Sequence, residues 1–165
     1  MINVKINGSS ILEPQHEGDA GYDVIAFSKP NIVGDEAGMH FYSRIDYIEY
    51  DTNLILAPDK GVHTLVFPRS SISNKNLVLA NSVGLIDNGY RGTVKIRFKY
   101  VAQPQDFVLC DNGDFIVEVD YKRIYAQGDR IAQLVFSETL PVKLKDDQRI
   151  DLTDRNTGGF GSTGV

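Results

Sequence analysis

Apolar residues in this chain come in short runs cut by glycine, proline and three Asn-Gly pairs, at Asn7, Asn88 and Asn112. Nowhere do they hold the 3.6-residue period of an amphipathic helix for two turns, with one exception. The exception is Ser70 to Asn76, SSISNKN, whose opening serines are cap residues and which could hold one short helix. Such a chain must bury its apolar surface with strands. Strands are expected at residues 2–6, 24–27, 54–56, 62–67, 77–80, 94–98, 107–109, 115–119 and 130–136, with one or two more between Met39 and Tyr50. Lys29 to Gly38 reads as an exposed, turn-rich connection. Many short strands at regular spacing predict a single all-β domain over 1–165, of sandwich, jelly-roll or barrel type.

The stretch Val78 to Phe98, VLANSVGLIDNGYRGTVKIRF, is the centre of this pattern. An apolar run enters, Asp87-Asn88-Gly89 turns, and Val94, Ile96 and Phe98 alternate with Lys95, Arg97 and Lys99 on the way out. Asn-Gly tolerates positive φ at both positions and predicts a hairpin. Asp87 and Tyr90 then stand at its mouth, an acid and a ring at the edge of a small-molecule site. The second such signal, Asp111-Asn112-Gly113-Asp114, predicts another hairpin between Phe107 and Val119.

Composition removes several alternatives. With 42 % apolar and 24 % charged residues the chain is of globular type, and no apolar run approaches the about 20 residues of a membrane span. MINVKINGSS lacks the basic start and apolar core of a secretory signal. The one cysteine, Cys110, excludes an internal disulfide framework and suits a reducing, cytoplasmic setting, or the host-cell cytoplasm for a viral chain. A net charge of −5 argues against a general nucleic-acid surface. His16, His40 and His63 have no metal-ligand spacing.

Pro68-Arg69-Ser70-Ser71 combines a guanidinium, two hydroxyls and the free N–H groups of a helical turn, all donors for phosphate oxygens; an ordinary cap beside a surface arginine would look the same. RNTGGFGSTG near the C-terminus sets Arg155 and Phe160 in a glycine frame, so that Arg155 could reach a terminal phosphate and Phe160 could stack on a planar base. Asp87 could orient and deprotonate a water. Asp23, beside Gly21, could hold a hydrated metal ion, since magnesium on a triphosphate keeps several waters and takes few protein ligands.

Five collinear segments together resemble the trimeric dUTPase family: DAGYDVIA, PRSS, NSVGLIDNGYRG, GDRIAQLVF and RNTGGFGSTG, covering the chain from Asp19 to the C-terminus. The resemblance implies a jelly-roll-like protomer of β-clip type, a homotrimer with active sites shared between chains, and a flexible lid at 154–165. It implies Mg²⁺-assisted hydrolysis of dUTP to dUMP and pyrophosphate by attack of water at the α-phosphate. In that scheme Asp87 activates the water and Tyr90 packs under the deoxyribose. Asn81, Leu85, Ile86 and the backbone at Lys95 line the uracil pocket. Arg69, Ser70, Ser71 and Gln133 hold phosphates, Asp23 binds metal through water, Arg155 engages the γ-phosphate, and Phe160 with Gly161 closes over the base.

The chain departs from the family pattern at Gly89, where a second acid is common, and at Asn156, where glycine is common. Residues 101–123 also read as an added hairpin between the third and fourth segments, either a surface insertion or an element that contacts the trimer or a protein partner. The rival of the same fold is dCTP deaminase or a bifunctional deaminase–dUTPase. It would need a glutamate on the strand where this chain has Arg97, and it commonly has tryptophan where this chain has Tyr90.

Overall fold

The computed structural model describes residues 2–146, 150–154 and 157. Its strands are β1 (Val4–Asn7), β2 (Ile11–Leu12), β3 (Tyr22–Ile25), β4 (Asn31–Gly38), β5 (Phe41–Asp51), β6 (Ile55–Pro58) and β7 (Val62–Pro68). They continue with β8 (Leu77–Leu79), β9 (Gly84–Ile86), β10 (Lys95–Tyr100), β11 (Phe107–Leu109), β12 (Phe115–Glu118) and β13 (Arg130–Glu138). Among the described residues the helical segments are two 3-10 turns, Ser70–Asn74 and Pro104–Asp106. The all-β expectation holds, and SSISN forms its short turn, but its serines do not cap it: Arg69 is the N-cap and no side chain makes a cap bond.

Two antiparallel sheets carry the fold. One runs β11-β12-β5-β10-β8, with β4 also on β5; the other runs β2-β3-β13-β7-β9; β1 and β6 pair separately. Alternation does the sorting. On β10, Ile96 and Phe98 are buried while Lys95, Arg97 and Lys99 are exposed, as a period of two requires. Tyr50, Phe98, Ile48 and Ile96 from the first sheet share one core with Val24, Val66, Ala132 and Leu134 from the second. The Val, Ile, Leu and Phe side chains among them each contribute about 1.5–3 kcal/mol by leaving water. Tyr50 and Phe98 meet edge-on at 5.8 Å.

Lys29 to Gly38 is not a loose connection. Its glycine-flanked acidic stretch lies in β4, paired with β5 through three register shifts. The reason is local: a Cβ on Gly34 would collide with the Arg44 carbonyl, so glycine here permits a close, bulged approach of two backbones rather than a turn.

Asn88-Gly89 does not close a hairpin either. β9, before it, pairs with β7 in the second sheet, whereas β10, after it, pairs with β5 and β8 in the first. Neither Asn88 nor Gly89 has a positive φ. The turn is a crossing between sheets. The step from β8 to β9 is a crossing too, made at Ser82 (φ 60°), and Gly84 packs where a Cβ would stand 3.0 Å from the Val66 side chain. The other Asn-Gly behaves as expected: Gly113 has φ 87°, and β11 pairs with β12 around it.

Candidate active site

The crossings leave a crevice beside β10. A cavity of about 590 Å³ opens there, lined by Asn81, Leu85, Ile86, Asp87, Tyr90 and Lys95. All six were expected to serve one pocket, and the structure brings them together. Val66, Leu79, Ala80, Gly84 and Val94 complete the apolar wall, with Tyr47, Arg97 and Lys99 along the outer face of the sheet.

Strand pairing explains why backbone is available at this wall. β8 pairs with β10 only from Phe98 to Tyr100, and the Ala80 N–H adds a last bond to the Arg97 carbonyl at 2.9 Å. Beyond that point the edge at Lys95 and Ile96 borders the cavity instead of another strand. The Lys95 side chain is otherwise engaged: its Nζ donates to Glu49 at 2.8 Å, and Arg97 Nε donates to the other Glu49 oxygen at 2.8 Å. Arg97 also lies 4.3 Å over the Tyr47 ring. These hydrogen bonds, that from Lys95 first, hold the Glu49 carboxyl below its ordinary range despite burial, and Glu49 in turn raises Lys95 and Arg97. So Lys95 presents main chain to the cavity, not a free charge.

Tyr90 stands at the mouth. Its hydroxyl donates to the Thr93 carbonyl at 3.1 Å, and its ring covers Gly92, where a Cβ would lie 2.6 Å from Cζ. Leu85 is 62 % exposed beside it, an apolar rim with nothing over it among the described residues.

The phosphate-donor set forms a second locus. Asp23 on β3 stands opposite Gln133 on β13, and Ala132 stands opposite Pro68, the residue before Arg69. Arg69 Nε donates to Asp23 Oδ1 at 2.8 Å, and Arg130 Nη1 donates to Oδ2 at 3.1 Å. A register shift between Arg130 and Ala132 accompanies the placement of Arg130, as bulges commonly re-aim a side chain. Arg69 Nη1 reaches Ser71 Oγ at 3.4 Å, and Ser70 opens the turn that follows. Gly21 makes room for Gln133, whose side chain would be 3.1 Å from a Cβ there. Arg130 was missed as a site residue although it stands in GDRIAQLVF; Glu49 had no local signal, since its partners are nearly fifty residues away.

Within one chain these loci are far apart. Ile86, next to Asp87, pairs with Thr64, five residues before Arg69 on the same extended run. At about 3.3 Å per residue, that is about 17 Å along the strand.

Among the described residues no three His, Cys, Asp or Glu gather as an all-protein cation site would need. Asp23 nevertheless fits a hydrated ion: each oxygen accepts one guanidinium and keeps acceptor capacity for an ion-bound water. Arg155, Phe160 and Gly161 lie outside the described residues.

The fold and cavity thus define an all-β, two-sheet protein with a ligand pocket at an acid-bearing crossing. The dUTPase family model matches residues 7–164. A deoxyuridine 5'-triphosphate nucleotidohydrolase of Clostridium acetobutylicum is 35 % identical over 100 % of this chain and 99 % of its own. One of Variola virus is 32 % identical over 78 % of this chain and 80 % of its own. Among solved structures, a mutant dUTPase of Staphylococcus bacteriophage 80alpha with dUpNHpp has TM-score 0.69 at 24 % identity, covering 100 % of this chain and 99 % of that one. Another, a mutant dUTPase of phage phi11 of S. aureus described for its coordination of a structural Mg(II) ion, has TM-score 0.60 at 22 % identity, covering 90 % of this chain and 97 % of that one. This chain belongs to the dUTPase family of dUTP-hydrolysing enzymes, and its two curled sheets are the jelly-roll-like fold of that family. No helix among the described residues is long and apolar enough to cross a membrane.

Proposed function

We propose that this chain hydrolyses dUTP to dUMP and pyrophosphate, keeping uracil out of DNA and supplying dUMP for thymidylate synthesis, with Asp87 as the group that activates water. The observation that carries the reading is one cavity holding Asp87, Tyr90, Asn81 and the open edge of β10 together. Uracil offers an N–H between two carbonyls, which a strand edge and the Asn81 amide can match; cytosine inverts N3 and the 4-position, leaving two of those partners facing like groups. The Tyr90 ring packs under the deoxyribose and leaves no room for a ribose hydroxyl. Water attacks the α-phosphorus in line and the bond to the bridging oxygen of the β-phosphate breaks. Pyrophosphate leaves, and Asp87 takes the proton of the water.

Arg69, Ser70, Ser71 and Gln133 hold the phosphate oxygens, and their positive field opposes the charge that develops at phosphorus. Asp23 would hold magnesium through water, and the ion would supply charge neutralisation of the triphosphate. Arg155 engages the γ-phosphate, and Phe160 and Gly161 in the lid, 154–165, close over uracil.

From Thr64, the partner of Ile86, to Arg69 is about 17 Å along the strand, and Asp87 lies further still, which is more than a triphosphate comfortably spans within one chain. A homotrimer removes the difficulty, because the acid and base pocket of one protomer meet the phosphate donors of its neighbour. The hairpin β11–β12, within the insert at 101–123, exposes Phe107, Leu109 and Phe115, an apolar face of the kind that contacts another protein. Deleting residues 107–118 should leave hydrolysis intact if that face serves a separate partner.

Asp87→Asn tests the assignment. Turnover should fall by about 10²–10⁴-fold while a non-hydrolysable dUTP analogue still binds. Retained turnover would sink the role of Asp87, and ammonia release from dCTP would favour the deaminase instead.

A further inference from the structure

We propose that Asn88 and Arg91 are positioning residues for this reaction: they bolt the turn that carries Asp87 to the start of β7, so that the acid sits on a rigid mount. The inference rests on the proposed role of Asp87. Asn88 Nδ2 lies 3.3 Å from the Pro58 carbonyl, 2.7 Å from that of Asp59 and 2.8 Å from that of Val62. A side-chain amide has two protons on nitrogen, so both are used and one is shared.

Those carbonyls converge because Pro58 to Val62 is a tight turn. Gly61 has φ 81°, and the Val62 N–H donates to the Asp59 carbonyl at 3.2 Å. Its outer side is braced as well. Asn3 donates from its backbone and its amide to the Asp59 carboxylate at 2.9 and 3.0 Å, and the Asp59 N–H returns a bond to the Asn3 carbonyl at 2.9 Å.

Arg91 works from the other end. Its Nη1 lies 2.6 Å from the Asn88 carbonyl, 2.8 Å from that of Tyr90 and 3.4 Å from that of Leu56 on β6. The Tyr90 N–H closes the loop on the Asp87 carbonyl at 3.0 Å.

Asp87 is therefore held from both sides by one body. On its N-terminal side Ile86 pairs with Thr64 of β7; on its C-terminal side Asn88 grips the turn that leads into β7. The pair also fixes Tyr90, one residue from Arg91. A displacement of the order of 1 Å in a reacting group can cost about 10²-fold in rate, whereas base binding to the β10 edge does not pass through this clamp.

The test is steady-state and single-turnover hydrolysis of dUTP by Asn88→Ala and Arg91→Lys beside wild type, with circular dichroism and thermal midpoints. Arg91→Lys keeps a charge, but its shorter, non-planar end withdraws the nitrogen from the three carbonyls that converge on Nη1. Both variants should show kcat at least tenfold lower with KM within about twofold, and the single-turnover rate should fall as kcat does. If kcat in the folded variants stays within twofold of wild type and only the midpoint drops, the clamp is merely structural and the proposal fails. Equal changes in KM and kcat would overturn it too. Should Asn88→Ala not fold, Arg91→Lys decides by the same criteria. Wild type run alongside reports separately on the dUTPase reading, and Asp87→Asn on the acid.

Discussion

Arg69 Nε donates to Asp23 Oδ1 at 2.8 Å, tying the residue that follows β7 to the middle of β3. With Arg130 on the other oxygen, two positive groups share one negative, and the locus keeps a net positive charge toward a triphosphate. Arg69 retains donors beyond the one given to Asp23. Arg69→Ala should raise KM for dUTP about 10- to 100-fold, the loss of about 1.5–3 kcal/mol expected for a charged hydrogen bond. Arg69→Lys should recover little of it, because a lysine cannot hold Asp23 and a phosphate oxygen in one plane. Initial-rate measurements across dUTP concentrations check both variants.

Gly92 decides where the Tyr90 ring lies, since any side chain there would occupy the space of the phenol. Gly92→Ala should push the ring from the cavity mouth and weaken the exclusion of a 2'-hydroxyl. The ratio of kcat/KM for dUTP over UTP should fall at least tenfold, chiefly through faster UTP hydrolysis. Tyr90→Phe removes only the bond to the Thr93 carbonyl and should keep most of the discrimination. An unchanged ratio in Gly92→Ala would dismiss Tyr90 as the sugar filter.

The sequence was most readable where one strand carries its own signal. β7 and β13 are alternating or continuous apolar runs with clear flanks, and PRSS announces a short helical turn at the end of β7, although no side chain caps it. Asn112-Gly113 folds as its local chemistry demands because both flanking strands lie in one sheet. Asn88-Gly89 does not, because β9 finds its partner in β7 and β10 finds β5; that long-range competition overrides turn propensity and creates the cavity. β4 was hidden by its glycines, whose function is close approach to β5. The six cavity residues were legible through motif order, yet Glu49, which occupies the Lys95 side chain, becomes visible only when β5 and β10 are in register.

Glu49 also makes the fold acid-sensitive. Its side chain is 11 % exposed, and hydrogen bonding by Lys95 and Arg97 lowers its carboxyl below the ordinary 4.5. A carboxyl whose pKa is depressed on folding contributes stability above its unfolded pKa and loses it as pH falls through the folded value. The thermal midpoint should therefore decline as pH drops below about 4.5, the ordinary glutamate value. The raised pKa of Lys95 acts only at the alkaline end, above 10.5. Glu49→Gln should lower the midpoint at pH 7 and flatten its acid limb relative to wild type. Parallel acid limbs in the two proteins would assign the sensitivity to other carboxyls.

Tyr50 is fully buried at the junction of the sheets, and its hydroxyl donates to the Tyr125 carbonyl at 2.9 Å. Burial pushes its phenol well above the ordinary value of 10.0, so it stays a neutral donor across the working range. Tyr50→Phe keeps the edge-on contacts with Phe98 and Tyr125 but strands the Tyr125 carbonyl in an apolar core. An orphaned buried acceptor costs about 1–3 kcal/mol, against about 3–5 kcal/mol for the cavity that Phe98→Ala would leave. In equilibrium denaturation Tyr50→Phe should shift the urea midpoint down by that smaller amount at constant m-value, because the surface exposed on unfolding hardly changes. Tyr50 stands opposite Ile96 of the cavity wall, but its hydroxyl is committed to Tyr125, which does not line the cavity, so kcat for dUTP measured well below the transition should match wild type. A midpoint within error of wild type would mean that water reaches the Tyr125 carbonyl and that the junction is less tightly closed than its burial indicates.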